Sequence, residues 1–142
     1  MSVDSFLDTN VLVYAAAGRG AEEKKRCRAL ELISGENFGL SAQVLQEFYV
    51  TVTRKIQVPM TPAAATEWIE HFEAFPCLAI DTAIVKLGIE ASERWQLSYW
   101  DGAILAAAEA LGAKVVYSED LGDGRLYGSV RVVDPFRNAA RF

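Results

Sequence analysis

Four acidic residues stand inside segments that otherwise read as buried, and any fold this chain adopts has to accommodate them. Asp8 ends the apolar run Ser5-Phe6-Leu7 and opens Asp8-Thr9-Asn10-Val11-Leu12-Val13. Glu47 interrupts the helix pattern Val44-Leu45-Gln46-Glu47-Phe48-Tyr49. Asp101 lies in Ser98-Tyr99-Trp100-Asp101-Gly102-Ala103-Ile104-Leu105, and Asp120 follows the strand-like Lys114-Val115-Val116-Tyr117-Ser118. A buried carboxylate is costly without a positive partner. No Lys or Arg stands within three residues of Asp8, Glu47 or Asp101. A divalent metal ion is the simplest partner that several such acids can share.

Short apolar segments alternate with longer capped ones along the chain. Residues 3–8, Phe38 to Leu40, Leu78 to Ile80, Val115 to Ser118 and Val130 to Val133 read as strands. Helices are expected over 10–16, over 21–34 with Cys27, Leu30 and Ile33 facing in, and over 42–55 behind an N-cap at Ser41. Thr61-Pro62 starts a further helix to Phe75, since proline suits the first turn. Asp81 caps one to Trp95, and Ser98 caps one to Leu111 that Gly112 stops. Strands alternating with helices predict an α/β fold, a parallel sheet with helices on both faces. Parallel crossovers bring the carboxyl ends of all strands to one edge, and ligands of open α/β sheets bind outside it. Asp8 and Asp120 both follow strand ends, so this topology brings them towards one crevice.

The bulk numbers exclude several classes. A chain of 142 residues, half of them hydrophobic, suits one compact domain spanning 1–142. No apolar run approaches the roughly 20 residues that a membrane helix needs. The start Met1-Ser2-Val3-Asp4 has no basic stretch ahead of an apolar one, and Cys27 and Cys77 stand alone. A reduced, cytoplasmic setting is therefore expected. Fourteen basic against nineteen acidic residues give a net charge of −5, unlike a non-specific nucleic-acid binder. The cluster Lys24, Lys25, Arg26, Arg28 reads first as a solvated helix face.

Each acid also has a plain structural reading. Asp101 shares a helix face with Ile104, Leu105 and Ala108, although an acid in a first turn also complements the helix dipole. Glu47 could flank an amphipathic helix, and Asp8 could cap the helix after it. The fourth position is double, because Glu119 and Asp120 are adjacent and either could bind metal; register favours Asp120. Asp123, between two glycines, reads as a turn former. The one histidine, His71, lies near no candidate acid in sequence. Serine–histidine, cysteine–histidine and zinc-hydrolase chemistries therefore lack their residues, as does a phosphate loop with its lysine. What is left is oxygen-ligand chemistry suited to Mg²⁺ or Mn²⁺.

Taken together, these segments resemble the PIN-domain ribonucleases. Phe6-Leu7-Asp8-Thr9-Asn10-Val11-Leu12-Val13-Tyr14 resembles their opening, and Ser41-Ala42-Gln43-Val44-Leu45-Gln46-Glu47-Phe48 their second acidic motif. Tyr99-Trp100-Asp101-Gly102-Ala103-Ile104-Leu105 resembles the third, and Tyr117-Ser118-Glu119-Asp120-Leu121 the fourth. The ordered set spans nearly the whole chain. Its size resembles the VapC toxins of bacterial VapBC toxin–antitoxin modules.

The resemblance implies a central parallel sheet of about five strands in the order 3-2-1-4-5. It implies Asp8, Glu47, Asp101 and Asp120 as the metal-holding and catalytic quartet, with Asn10 and Ser118 in support; Glu119 is the departure from the pattern. It also implies hydrolysis of RNA to 5′-phosphate and 3′-hydroxyl ends, and an antitoxin protein whose basic side chain can occupy the acid cluster. The aromatics Trp68, Phe72 and Trp95 to Trp100 could serve that partner, a homodimer or the core. Competing expectations are an RNA-processing nuclease without an antitoxin and a PIN-like binding module without chemistry. A haloacid-dehalogenase-type phosphatase would need an Asp at position 10, where this chain has Asn10.

Overall fold

The first strand, β1 (Ser5–Leu7), is buried at every residue, as a parallel strand covered on both faces must be. In the computed structural model, which describes residues 2–137, β1 pairs in parallel with β2 (Phe38–Ser41) on one side and β4 (Val115–Tyr117) on the other. The extreme ends of the expected 1–142 domain, residues 1 and 138–142, lie outside the described residues. β3 (Cys77–Leu78) extends the sheet beyond β2, and β6 (Val130–Val133) extends it beyond β4, both in parallel. β5 (Leu126–Tyr127) pairs antiparallel with β6, so the order is β3-β2-β1-β4-β6-β5.

The expected five-strand order therefore holds, with β6 as its fifth strand. The sheet differs from expectation in one added edge strand running the other way. Gly128, at φ 61°, lets the chain reverse between Tyr127 and Val130. This conformation suits glycine, which has no Cβ to clash.

Among the described residues six α-helices flank the sheet: α1 (Thr9–Ala17), α2 (Glu23–Gly35), α3 (Ala42–Val50), α4 (Pro62–Phe72), α5 (Thr82–Trp95) and α6 (Tyr99–Ala110). Their starts follow the local chemistry. Ser41 Oγ accepts from Val44 N, Thr61 Oγ1 from Ala64 N, Asp81 Oδ1 from Ile84 N and Ser98 Oγ from Asp101 N. Each such cap satisfies one of the backbone donors that a helix start leaves unpaired. A π-helical turn over Thr51–Lys55 continues α3, so the 42–55 segment is helical throughout.

Crossovers from β1 to β2 and β2 to β3 step one way along the sheet, and that from β3 to β4 steps back. Right-handed connections then set α1 to α4 on one face and α5 with α6 on the other. Phe6, Leu7, Leu12, Phe38, Leu40, Val44, Phe48, Phe72, Val116 and Val132 form the core between the layers. One expected inward residue is corrected. On α2 the buried positions are Ala29 and Leu32, whereas Cys27 is exposed. No described helix is long and apolar enough to cross a membrane.

Candidate active site

The sheet delivers Asp8 and Ser118 side by side. The ladder between β1 and β4 runs to Leu7 opposite Tyr117. One step further, Asp8 N donates to Tyr117 O at 3.0 Å and Ser118 N to Val133 O at 3.1 Å. The Ser118 hydroxyl donates to Asp8 Oδ2 at 2.7 Å, and Asp8 Oδ1 accepts from Thr9 N at 2.8 Å. Asp8 is thus both the N-cap of α1 and a carboxylate facing a second strand end, so the two sequence readings are compatible. It is only 8% exposed. Burial pushes its pKa up from 3.8 to about 6. The bonds from Ser118 and Thr9 pull it down, and the charges of Glu47 and Asp120 push it up.

Asp120 enters the same cluster through Asn10. Asn10 Nδ2 donates to Asp120 Oδ2 at 3.1 Å and to Ser118 Oγ at 3.3 Å. Ser118 Oγ also accepts from Asp120 N at 3.1 Å. A single serine therefore fixes the loop after β4 and the carboxylate after β1.

The neighbouring acid Glu119 is turned elsewhere. Its carboxylate accepts from Tyr14 Oη at 2.6 Å and pairs with Lys25 Nζ at 3.1 Å. Lys25 Nζ also lies 4.8 Å from the centre of the Tyr14 ring, within cation–π range. Burial and then the bond to Glu119 push the Tyr14 hydroxyl up to about 12. Of the two acids after Ser118, Asp120 is the one bonded to Asn10, and Glu119 belongs to the α1–α2 side of the loop.

Glu47 and Asp101 come from opposite faces of the sheet. Glu47 is half-buried, and its pKa is raised, first by burial and then by the charge of Asp101, against a bond from Gln43 that lowers it. Gln43 Nε2 donates to Glu47 Oε1 at 3.2 Å and to the Trp100 carbonyl at 3.1 Å. The buried glutamine thus ties the middle of α3 to the first turn of α6, the turn that carries Asp101. Gln43 does not stand out in the local sequence pattern. The signal available was its place four residues before Glu47, on the same helix face.

α6 reaches this position through a close approach to α5. A Cβ on Gly102 would stand 2.6 Å from Ser92 N and 2.8 Å from Gly88 O. Any larger residue beside Asp101 would force the two helices apart.

The four acids thus form a chain of neighbouring charges, Asp120 to Asp8 to Glu47 to Asp101, each felt by the next. Among the described residues, no three acidic, histidine or cysteine side chains are drawn into a closed ligand set. Like charge and burial both oppose a tighter approach. The donor chemistry fits a hard divalent ion: oxygen ligands, with buried Asn10 Oδ1 also lacking a hydrogen-bond partner. A groove of about 440 Å³ leads from this cluster along α1, from Thr9, Asn10 and Asp120 past Tyr14 to Arg19. His71 is exposed on α4 and none of these contacts involves it.

The PIN domain family matches residues 5–124 of the chain. No curated protein matches the sequence. Among solved structures, a toxin–antitoxin complex from Klebsiella pneumoniae superposes with a TM-score of 0.69 at 17% identity, covering 93% of this chain and 98% of that one. VapC20 of Mycobacterium tuberculosis, a toxin that cleaves the sarcin–ricin loop, gives 0.65 at 17% identity, with coverage of 82% and 90%. VapBC2 from Rickettsia felis, bound to a fragment of its promoter DNA, gives 0.61 at 16% identity, with 90% and 96% covered.

Proposed function

The chain belongs to the PIN-domain family, and from that premise we propose that it is a metal-dependent endoribonuclease, the toxin of a type II toxin–antitoxin module. The observation that carries this reading is Asp8. It is a buried carboxylate whose hydrogen-bond donors are neutral and whose charged neighbours are acids. Such a group is poorly suited to a purely structural role and well suited to share a cation.

In this reading Asp8, Glu47, Asp101 and Asp120 hold one or two Mg²⁺ or Mn²⁺ ions. When bound, the ion supplies Lewis acidity, making water a better nucleophile near neutral pH and offsetting charge on the phosphoryl oxygens during in-line attack. The chain's own residues keep the carboxylates ready for that role. Ser118 donates to Asp8 and so favours its ionised form; Gln43 does the same for Glu47; Asn10 orients Asp120. Arg19, at the far end of the groove, offers positive charge to the phosphates of a bound strand. Cleavage leaves 5′-phosphate and 3′-hydroxyl ends. Glu119, committed to Lys25 and Tyr14, acts as a brace for the loop rather than as the fourth ligand.

The likeness in fold to toxin–antitoxin complexes from Klebsiella pneumoniae and Rickettsia felis supports an antitoxin partner for this chain as well. A basic side chain of that partner, set among the four acids, would satisfy the charge that a cation otherwise balances. A homodimer, a single domain over 1–142 and a cytoplasmic setting complete the proposal.

The test is cleavage of single-stranded and structured RNA by the purified chain with Mg²⁺, with Mn²⁺ and with EDTA, beside Asp101→Asn. Metal-dependent cutting that disappears in Asp101→Asn is the expected result. Full activity in EDTA would sink the mechanism.

A further inference from the structure

Of the three tryptophans, Trp68 and Trp95 pack against the core. Trp100 is 64% exposed, the largest side chain left in solvent among the described residues. It sits one residue before Asp101 in the first turn of α6. Its backbone is held there: the buried Gln43, 5% exposed, donates to its carbonyl and, with the same nitrogen, to Glu47. Its ring stands at 77° to Tyr99, with centroids 5.0 Å apart. Tyr99 is itself half-buried, so the indole rests on a fixed neighbour and keeps open surface towards solvent. The result is a large, solvent-facing aromatic in the same helical turn as Asp101. A tryptophan kept only for stability would cover its ring against the core.

We propose that Trp100 is a stacking platform for a nucleobase next to the scissile phosphodiester. It would make the chain select RNA in which that nucleotide is unpaired and splayed out of its helix. The inference rests on the ribonuclease reading above and names the substrate class for it. The chemistry is general. Sequence-specific RNA recognition targets single strands, loops and bulges whose bases stack on aromatic side chains. Stacking tolerates any base, because every base has a π-face. It also suits an acidic crevice: the acids and their cation engage the phosphate, and an uncharged ring engages the base. Because the same hydrogen-bonded glutamine spans Trp100 and Glu47, a base on the indole and a phosphate at the acids would be held in one register.

The experiment uses the full chain with Mg²⁺, as wild type, Trp100→Ala and Trp100→Phe. The substrates are an unstructured RNA oligonucleotide that the wild type cuts and the same strand carrying one abasic nucleotide at each position beside the cut. Expected is a rise in KM of roughly tenfold or more in Trp100→Ala, the loss falling on KM rather than kcat, with most of it restored in Trp100→Phe. One abasic position should weaken the wild type similarly and add nothing in Trp100→Ala. An unchanged KM in Trp100→Ala, or abasic penalties that are the same in both proteins, would overturn the inference while leaving the nuclease standing. So would a loss of activity in Trp100→Ala that tracks a change in oligomeric state, since Trp100 would then belong to a subunit interface. If the wild type cuts no RNA at all, this inference and the ribonuclease reading fall together.

Discussion

Ser118 and Asp8, 110 residues apart in sequence, meet at 2.7 Å, hydroxyl to carboxylate, at the ends of two adjacent parallel strands. The same hydroxyl accepts from Asp120 N and from Asn10 Nδ2. Removing it should act on both acids at once. Ser118→Ala is expected to lower kcat/KM roughly 10- to 100-fold near neutral pH, in the range of residues that orient metal ligands. Because the bond lowers the Asp8 pKa, its loss should move the acid limb of the pH–rate profile upward. A profile that keeps its shape and position in Ser118→Ala would show that the hydroxyl does not govern Asp8.

Asp8 itself should cost stability in the absence of metal. Its folded pKa of about 6 lies above the ordinary 3.8, so the folded state holds that proton more tightly than the unfolded chain does. Its contribution is then most favourable below about pH 4, declines as pH rises to about 6 and stays low above. Asp8→Asn removes the buried charge. It should raise metal-free stability at pH 7 by about 1–3 kcal/mol, judged from a shift of roughly two pK units, while abolishing cleavage. Thermal unfolding in EDTA checks this, and a clearly lower midpoint in Asp8→Asn would refute it.

Gln43 joins two faces of the sheet through one amide. Gln43→Leu keeps the bulk but leaves the Trp100 carbonyl and Glu47 without their donor. About 1–3 kcal/mol of stability should be lost, the usual cost of an unpaired buried polar group. Cleavage should fall with it, since Glu47, already raised by burial, would be protonated more easily. Denaturant titration and initial rates together separate the two effects.

Gly102 permits the approach of α5 and α6 that seats Asp101. Gly102→Ala places a methyl group within 3 Å of backbone atoms at Ser92 and Gly88. Overpacking of this kind costs about 1–3 kcal/mol, and here it should also displace the first turn of α6. Circular dichroism melting would register the loss. A variant as stable and as active as the wild type would show that the helices separate freely.

The two acids after Ser118 should behave differently. Asp120→Asn is expected to remove most of the cleavage activity. Glu119→Gln should keep activity within about one order of magnitude, because it touches only the partly exposed pair with Lys25 and the Tyr14 bond. Equal losses in the two variants would mean that the loop, rather than the carboxylate of Asp120, matters.

Much of the frame was legible because it is local. Ser41, Thr61, Asp81 and Ser98 cap the helices they precede, and a cap needs only the next three residues. The buried strands β1 and β2 show as short apolar runs because both faces are covered, and β4 shows as one around its buried Val116. β5 was not legible. It is two residues long, with Leu126 exposed, and exists only by pairing with β6. The inward face of α2 was misjudged at Cys27 because helix phase over so few apolar residues is weakly determined. Packing selected Ala29 and Leu32 instead.

The sequence by itself determined which residues could carry charge in an apolar setting and the succession of helices and parallel strands around them. These follow from residue type and spacing within single elements. Only the tertiary structure decided which of those groups face one another. Register between β1 and β4 brings Ser118 to Asp8. Lys25, 94 residues away, draws Glu119 aside from the bonds that Asp120 makes. Gln43 is buried because the start of α6, 57 residues later, closes over it. The reason is physical: hydrogen bonds, ion pairs and burial between distant segments depend on how the sheet brings them together, and no window of neighbouring residues contains both partners.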